Sequence, residues 1–468
     1  MKSGQMYVLA LLVLFSFTMN NSVVQASDQW NSVGNMIHPR MLHTATLLQN
    51  GKVLLVGGNQ QETELYDPDT GAFTVIGSTF YNHYQGATAT LLNDGRVLIA
   101  GGINAPNKAE LYNPQNGTFE PTDSLHTDHS FHTATLLSDG RVLIAGGQYQ
   151  VGPQTHSVCE IYDPQTGKFS LTDSLNEDRS EHSATILPNG QVLIAAGIQT
   201  TTPGSGIALR ACELYNPVSG KFTRLQNLQQ DRYGHQATLL DNGKVLISCG
   251  SWSQRYGELY DYQSDSWSLT GDMTEQRRNY HTATLLSTGR VLLAGGYTDS
   301  ATTSAELYDP VTNTFIATQS MIDARYAHVA TKLADGNVLV TGGLSTSGVL
   351  NKAEVCLIDT LNVGINDNRK RYQHFGKDFH LVQNYPNPFN PATMIQFHIP
   401  VVAHINLNIY NVAGEKVRTL ISRIYPTGMH AVSWDGTDDS GKQVPSGIYA
   451  YVIRSNGYQD AKRMILIR

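Results

Sequence analysis

Six histidines recur at matching places in this chain, at His43, His132, His182, His235, His281 and His328. Imidazoles in register suggest a metal site, because neutral imidazole is a common ligand of zinc and copper. Geometry argues otherwise. One residue per repeat, held at equal radius, spreads the ring far beyond the ~2 Å reach of a metal–nitrogen bond. An arginine stands three residues before five of the copies, as Arg40, Arg179, Arg232, Arg278 and Arg325. A glutamate recurs in every copy, as Glu64, Glu110, Glu160, Glu213, Glu258, Glu306 and Glu354. A buried carboxylate has to be paired, and arginine, histidine or backbone N–H groups of the same or the next repeat are at hand. All three sets are read as scaffold, so no metal ligand and no catalytic residue is assigned.

Other chemistry is sparse. The chain has no Gly-x-Ser-x-Gly elbow, no His-Glu-x-x-His helix and no phosphate-binding loop. Its Asp-Gly turns do not build a calcium loop. Cys159, Cys212, Cys249 and Cys356 are placed in strands of different repeats and read as small buried apolar residues. Equivalent positions on neighbouring repeats lie beyond the ~7 Å limit for bridging, which leaves only Cys212 with Cys249 open as a disulfide. No cofactor is expected.

The elements that position these residues follow from one repeated sentence. His43-Thr44-Ala45-Thr46-Leu47-Leu48 leads through Asn50-Gly51 to Val53-Leu54-Leu55-Val56-Gly57-Gly58, then Glu64-Leu65-Tyr66-Asp67-Pro68 and Phe73. The second glycine returns at Gly58, Gly102, Gly147, Gly197, Gly250, Gly296 and Gly343, which sets seven copies. Each copy parses into four short strands with tight glycine turns, and radial repetition of such sheets makes a β-propeller. A solenoid is the rival, but the last copy stops at Glu354-Val355-Cys356 without its fourth strand. Gln29 to Met36, with Trp30, matches the fourth-strand segment Ser266 to Met273, with Trp267. The N-terminal strand is therefore expected to complete the last blade and close a ring. The expected fold is all-β, a seven-bladed propeller over residues 27–360 with a second β domain after it.

Arg-x-x-His, x-Gly-x-Val-Leu-x-x-Gly-Gly and Glu-Leu-Tyr-Asp-Pro followed by an aromatic resemble kelch repeats of the galactose-oxidase-like kind. The resemblance implies the propeller fold. It implies little about function, because this fold serves binding modules and enzymes alike. Galactose oxidase uses copper held by tyrosines and histidines with a Cys–Tyr crosslink. No cysteine here falls in a loop, so that chemistry is not carried over.

Function is sought where the copies differ. The turns between strands one and two, and between three and four, are short throughout, whereas the loops between strands two and three vary. These loops share a face with the connections between blades, and loops on a rigid scaffold carry function. Candidate ligand-binding residues are Tyr149, Gln150, His156, Arg210, Trp252, Arg255, Tyr256 and Tyr297. Aromatic and arginine side chains suit protein or glycan surfaces. The competing reading is that the loops merely cover the disc. The expected function is a binding module for a cell-surface protein or glycan. The alternative is a carbohydrate-active or copper-dependent oxidase.

The ends speak of address. Residues 1–26 read as a cleaved signal peptide, with Lys2, an apolar run from Met6 to Met19 and Val24-Gln25-Ala26 before the cut. That run is too short to span a bilayer, which needs ~20 residues. Residues 361–379 form a polar linker, and residues 380–468 alternate as an Ig-like sandwich, with Ile405 to Tyr410 as one half-buried strand. The segments Asn384 to Thr393, with Tyr385, Pro386, Asn387, Pro388 and Phe389, then Trp434-Asp435-Gly436 and a tail from Lys462 and Arg463, resemble the type A C-terminal sorting domain of the type IX secretion system. That domain is related to the Ig-like domain of flagellar hook-capping proteins. The resemblance implies secretion machinery as a partner and a secreted or outer-membrane-surface protein. Residues 27–360 hold 19 Lys+Arg against 32 Asp+Glu, net −13, and residues 380–468 hold 8 against 5, net +3. An acidic propeller excludes nucleic acid as a partner by repulsion. A monomer without a membrane span is expected.

Overall fold

A computed structural model describes residues 29–150, 152, 154–202, 205–250, 255–275, 279–358 and most of 380–467. The expected signal peptide and linker lie outside the described residues. Among the described residues every regular element is a strand. Seven four-stranded antiparallel sheets form the blades. Blade one, for example, runs through Thr44–Leu47, Val53–Val56, Glu62–Asp67 and Ala72–Ser78. The innermost strand of each blade touches those of both neighbours, and the chain of contacts returns from Val329–Lys332 to Thr44–Leu47. The ring is closed.

Closure uses the N-terminal strand as expected. Gln29–Ser32 pairs with Ala353–Leu357, placing Trp30 opposite Cys356. Trp30 Nε1 donates to Gln319 O at 2.8 Å, and its ring joins Leu286, Leu292, Met321 and Val338 between blades six and seven. In the other six blades the third-strand tyrosine meets the fourth-strand aromatic, as in Tyr66 with Phe73 at 4.8 Å between centroids. The second strands are buried on both faces, which explains their unbroken Val-Leu-Ile runs. Each blade boundary has its own apolar core.

Two expectations are corrected. In blade three the strands Val142–Gln148 and Thr155–Asp163 run on past the glycine pair, so much of the expected loop is ladder. Cys249 lies just past the strand Val245–Ser248 rather than within it, at a φ of 56°. All four cysteines are buried and none is in a disulfide.

The C-terminal domain is a sandwich of two sheets, one of three strands and one of four. Its core includes Phe389, Ile395, Phe397, Ile409, Trp434 and Tyr451. Phe389 stacks near Trp434 at 5.5 Å, and its N–H donates to Ile465 O at 2.9 Å.

Candidate functional site

The repeated polar residues form latches between backbone segments. Each strand-three glutamate accepts hydrogen bonds from the segment that enters its own blade. Glu64 accepts from the Ile37 and His38 N–H groups at 2.7 and 3.2 Å, and Glu354 from Ile322 and Asp323 at 2.6 and 3.0 Å. Arginine completes the latch: Arg40–Glu64 is 3.0 Å, Arg179–Glu213 2.7 Å, Arg232–Glu258 3.1 Å and Arg325–Glu354 2.6 Å, all within the interior. Sequence reasoning missed that His83 and His129 replace arginine in blades two and three, bonding Glu110 and Glu160 at 3.0 and 3.2 Å. The offset of His129, three residues before His132, was the available signal. Arg278 lies outside the described residues.

The first residue of each glycine pair explains its own identity. Arg40 Nη1 donates to Gly57 O at 2.7 Å, and a Cβ on Gly57 would sit 2.4 Å from His83 O. The repeated histidines bridge blades. His43 Nε2 lies 2.9 Å from Thr341 Oγ1, His182 from Thr133 Oγ1 at 2.9 Å, and His235 from Ser183 Oγ at 2.8 Å. Burial pushes His43 and His235 down to about 3, and His132, His182 and His328 well below the usual imidazole range. They stay neutral and act as hydrogen-bonding pins.

The informative position is the one just before each histidine. Leu42, Phe131, Glu181, Tyr280 and Ala327 all adopt φ between 51° and 56°, and Gly86 and Gly234 occupy the same place in the remaining blades. Successive backbones join there. Leu42 N donates to Ala327 O, Ala327 N to Tyr280 O, Tyr280 N to Gly234 O, Gly234 N to Glu181 O, Glu181 N to Phe131 O and Phe131 N to Gly86 O, at 2.8 to 3.4 Å. These residues start the innermost strands, so the annulus rims the central channel on the variable-loop face. Seven backbones at strand-like spacing of about 5 Å enclose a ring about 11 Å across.

A side chain in this left-handed conformation costs roughly 1–2 kcal/mol relative to glycine. Five non-glycine residues persist there, and strain of this kind concentrates at functional sites. Tyr280 Oη donates to Glu181 Oε2 at 2.9 Å, joining blades six and four across the mouth. Tyr326 lies 6.4 Å from Tyr280 and 5.1 Å from Tyr297, centroid to centroid. Gly86 makes room, since a Cβ there would strike the Phe131 ring at 2.9 Å, whereas one on Gly234 would meet the Tyr280 ring at an ordinary contact distance of 3.4 Å. Burial raises the Glu181 carboxyl above its usual range, opposed by the Tyr280 hydrogen bond. Burial and the neighbouring Glu181 likewise raise the Tyr280 phenol.

Of the residues expected to bind ligand, Tyr297 joins this cluster. Tyr149 is 38% exposed and packs on His156 at 4.8 Å. His156 is corrected: it is 3% exposed, within a strand, with Nε2 bonded to Asp128 O at 2.7 Å. Gln150, Arg210 and Arg255 are exposed, and Tyr256 opens the third strand of blade five. Trp252 lies outside the described residues, as do Tyr385, Pro386 and Pro388. In the sandwich, Asn387 Oδ1 accepts from Ile465 N at 2.8 Å, while Lys462 and Arg463 sit on the last strand, Tyr458–Leu466. Among the described residues, no three of His, Cys, Asp and Glu gather to hold a metal ion, and no helix is long and apolar enough to cross a membrane.

A family model described as the FlgD Ig-like domain matches residues 393–457. Among solved structures, the chain is similar to a fungal alcohol oxidase of the AA5 family in complex with copper, with 15% identity and a TM-score of 0.64. That match covers 94% of this chain and 99% of the other. At such identity the likeness shows the fold alone. No curated protein matches the sequence.

Proposed function

We propose that the propeller is a binding module for a cell-surface protein or glycan, with its ligand seated at the channel mouth on the variable-loop face. The observation that carries this reading is the Glu181–Tyr280 pair with Tyr326 and Tyr297 beside it, built on strained backbone positions that glycine would fill at lower cost. A carboxyl and several phenols around a rigid opening offer acceptors, donors and ring faces to one ligand group.

The second reading is alcohol oxidation, favoured by the copper-bound structural neighbour. Among the described residues the histidine and cysteine donors do not gather into a copper centre. His281 Nε2 is committed to Ser248 Oγ at 2.9 Å, and the pins of the other blades are bonded in the same manner. The cysteines are buried.

A glycan and surface-protein array, run beside oxygen-consumption assays on primary alcohols with added copper, tests the choice. Saturable array binding without alcohol-dependent oxygen uptake is expected. Copper-dependent turnover would overturn the binding reading.

Export belongs to the same proposal. The leader and the C-terminal domain would carry the propeller through the type IX secretion machinery to the outer-membrane surface or the medium. The Ig-like match and the separate core of the sandwich support a modular address. Deleting Asn384 to Arg468 is expected to leave a folded propeller in the periplasm of a host with this system. Full extracellular yield of the truncated chain would contradict it.

A further inference from the structure

The mouth holds a buried carboxyl to which the described residues bring no cation. Among the described residues the Glu181 side chain receives one hydrogen bond, from Tyr280 to Oε2. Among the described residues its Oε1 meets no donor, and no lysine, arginine or histidine pairs with it. The Tyr280 ring that reaches it has the Tyr326 ring 6.4 Å away, Tyr297 packs on Tyr326 at 5.1 Å, and Tyr233 is near enough to affect the Tyr280 phenol. Ring faces are electron-rich and attract cations. The propeller, at net −13, draws cations in and turns anions away. The ring of about 11 Å, narrowed by its own side chains, admits a slender group and not a folded domain.

We propose that the channel mouth is a receptor for an alkylammonium group, held by the Glu181 carboxylate and by the ring faces of Tyr280 and Tyr326. The group comes from a free amine or from a lysine side chain. This rests on the channel mouth being the ligand site and adds the chemistry of what enters. A neutral hydroxyl would satisfy the phenols but leave the carboxylate without a counter-charge. Among the described residues the titratable group facing Glu181 is the Tyr280 phenol, on which the phenols of Tyr233 and Tyr326 act in turn. Because burial favours the protonated carboxyl, an arriving cation expels a proton, and binding tightens as pH rises through the glutamate titration.

The test titrates the full chain with n-butylammonium, a lysine-containing tripeptide, its acetyl-lysine counterpart and n-butanol, read by calorimetry and tyrosine fluorescence. Butylammonium or the lysine peptide is expected to bind, the neutral probes are not, and the stronger of the two cationic arms identifies the source. Glu181→Gln is expected to weaken binding at least about tenfold, and Tyr326→Ala several-fold, with both variants melting cooperatively. Equal binding of butanol and butylammonium, no ammonium binding by the wild-type chain, or unchanged affinity in Glu181→Gln would overturn the inference. If an array ligand binds at the mouth while ammonium does not, this inference falls and the binding-module reading stands. If neither binds there, both fall.

Discussion

Replacing Trp30 by alanine tests whether the borrowed strand holds the ring shut. Trp30 is 8% exposed, and its indole fills the boundary between blades six and seven against Leu286, Met321 and Val338. Truncating a buried tryptophan costs about 3–5 kcal/mol. Losing the Nε1 hydrogen bond to Gln319 O adds about 1 kcal/mol. Unfolding entropy near 2.1 cal/mol/K per residue gives a propeller of this size about 0.7 kcal/mol/K, so a loss of about 4.5 kcal/mol lowers Tm by about 6 °C. The assay is differential scanning calorimetry of the full chain, with Phe315→Ala as the control inside a covalently continuous blade. Phe315 occupies the matching place opposite Tyr308. Comparable losses in the two variants are expected. A Trp30→Ala protein within about 0.5 kcal/mol of wild type, as for an ordinary surface change, would refute closure by the N-terminal strand.

Three further outcomes follow from the same geometry. Glu354→Leu leaves Arg325 buried without its 2.6 Å partner and is expected to cost about 3–5 kcal/mol in denaturant unfolding. Adding Arg325→Met should recover part of that, only part because the Ile322 and Asp323 N–H groups stay unpaired. Burial pushes the Cys159 and Cys212 thiols up to about 12, so a thiol reagent at pH 8 should label neither until the chain is unfolded. Rapid labelling of native protein would contradict their burial. The folded-state pKa of Glu181 is raised, so its contribution to stability is full at acid pH and lost as pH rises through the folded value. Glu181→Gln should therefore match wild type in Tm below the glutamate range and exceed it at pH 8; a wild type more stable at pH 8 would reverse the sign.

The propeller was legible because a period repeated seven times exposes its own exceptions. The glutamates, arginines and histidines stood out as scaffold, and the missing fourth strand pointed to Trp30. The mouth was hidden by the same regularity. Leu42, Phe131, Glu181 and Tyr280 sit beside fixed histidines, and no sequence pattern shows that Glu181 and Tyr280, 99 residues apart, share a hydrogen bond. Variation at that one position between copies was the signal available. His156 lies in a strand and not in the expected loop because the ladder of blade three continues past its glycines, turning the residue inward. In the sandwich, alternation revealed the strands, while the pinning of Asn387 and Phe389 to the last strand depends on long-range pairing that alternation does not encode.

Hydrogen exchange of the full chain, with and without a saturating array ligand, locates the binding face directly. The expected result is new protection at the amides of Phe131, Glu181, Tyr280 and Ala327, whose bonds form the annulus. Protection confined to the opposite face, at turns such as Asn93 to Gly95 and Pro164 to Gly167, would contradict it.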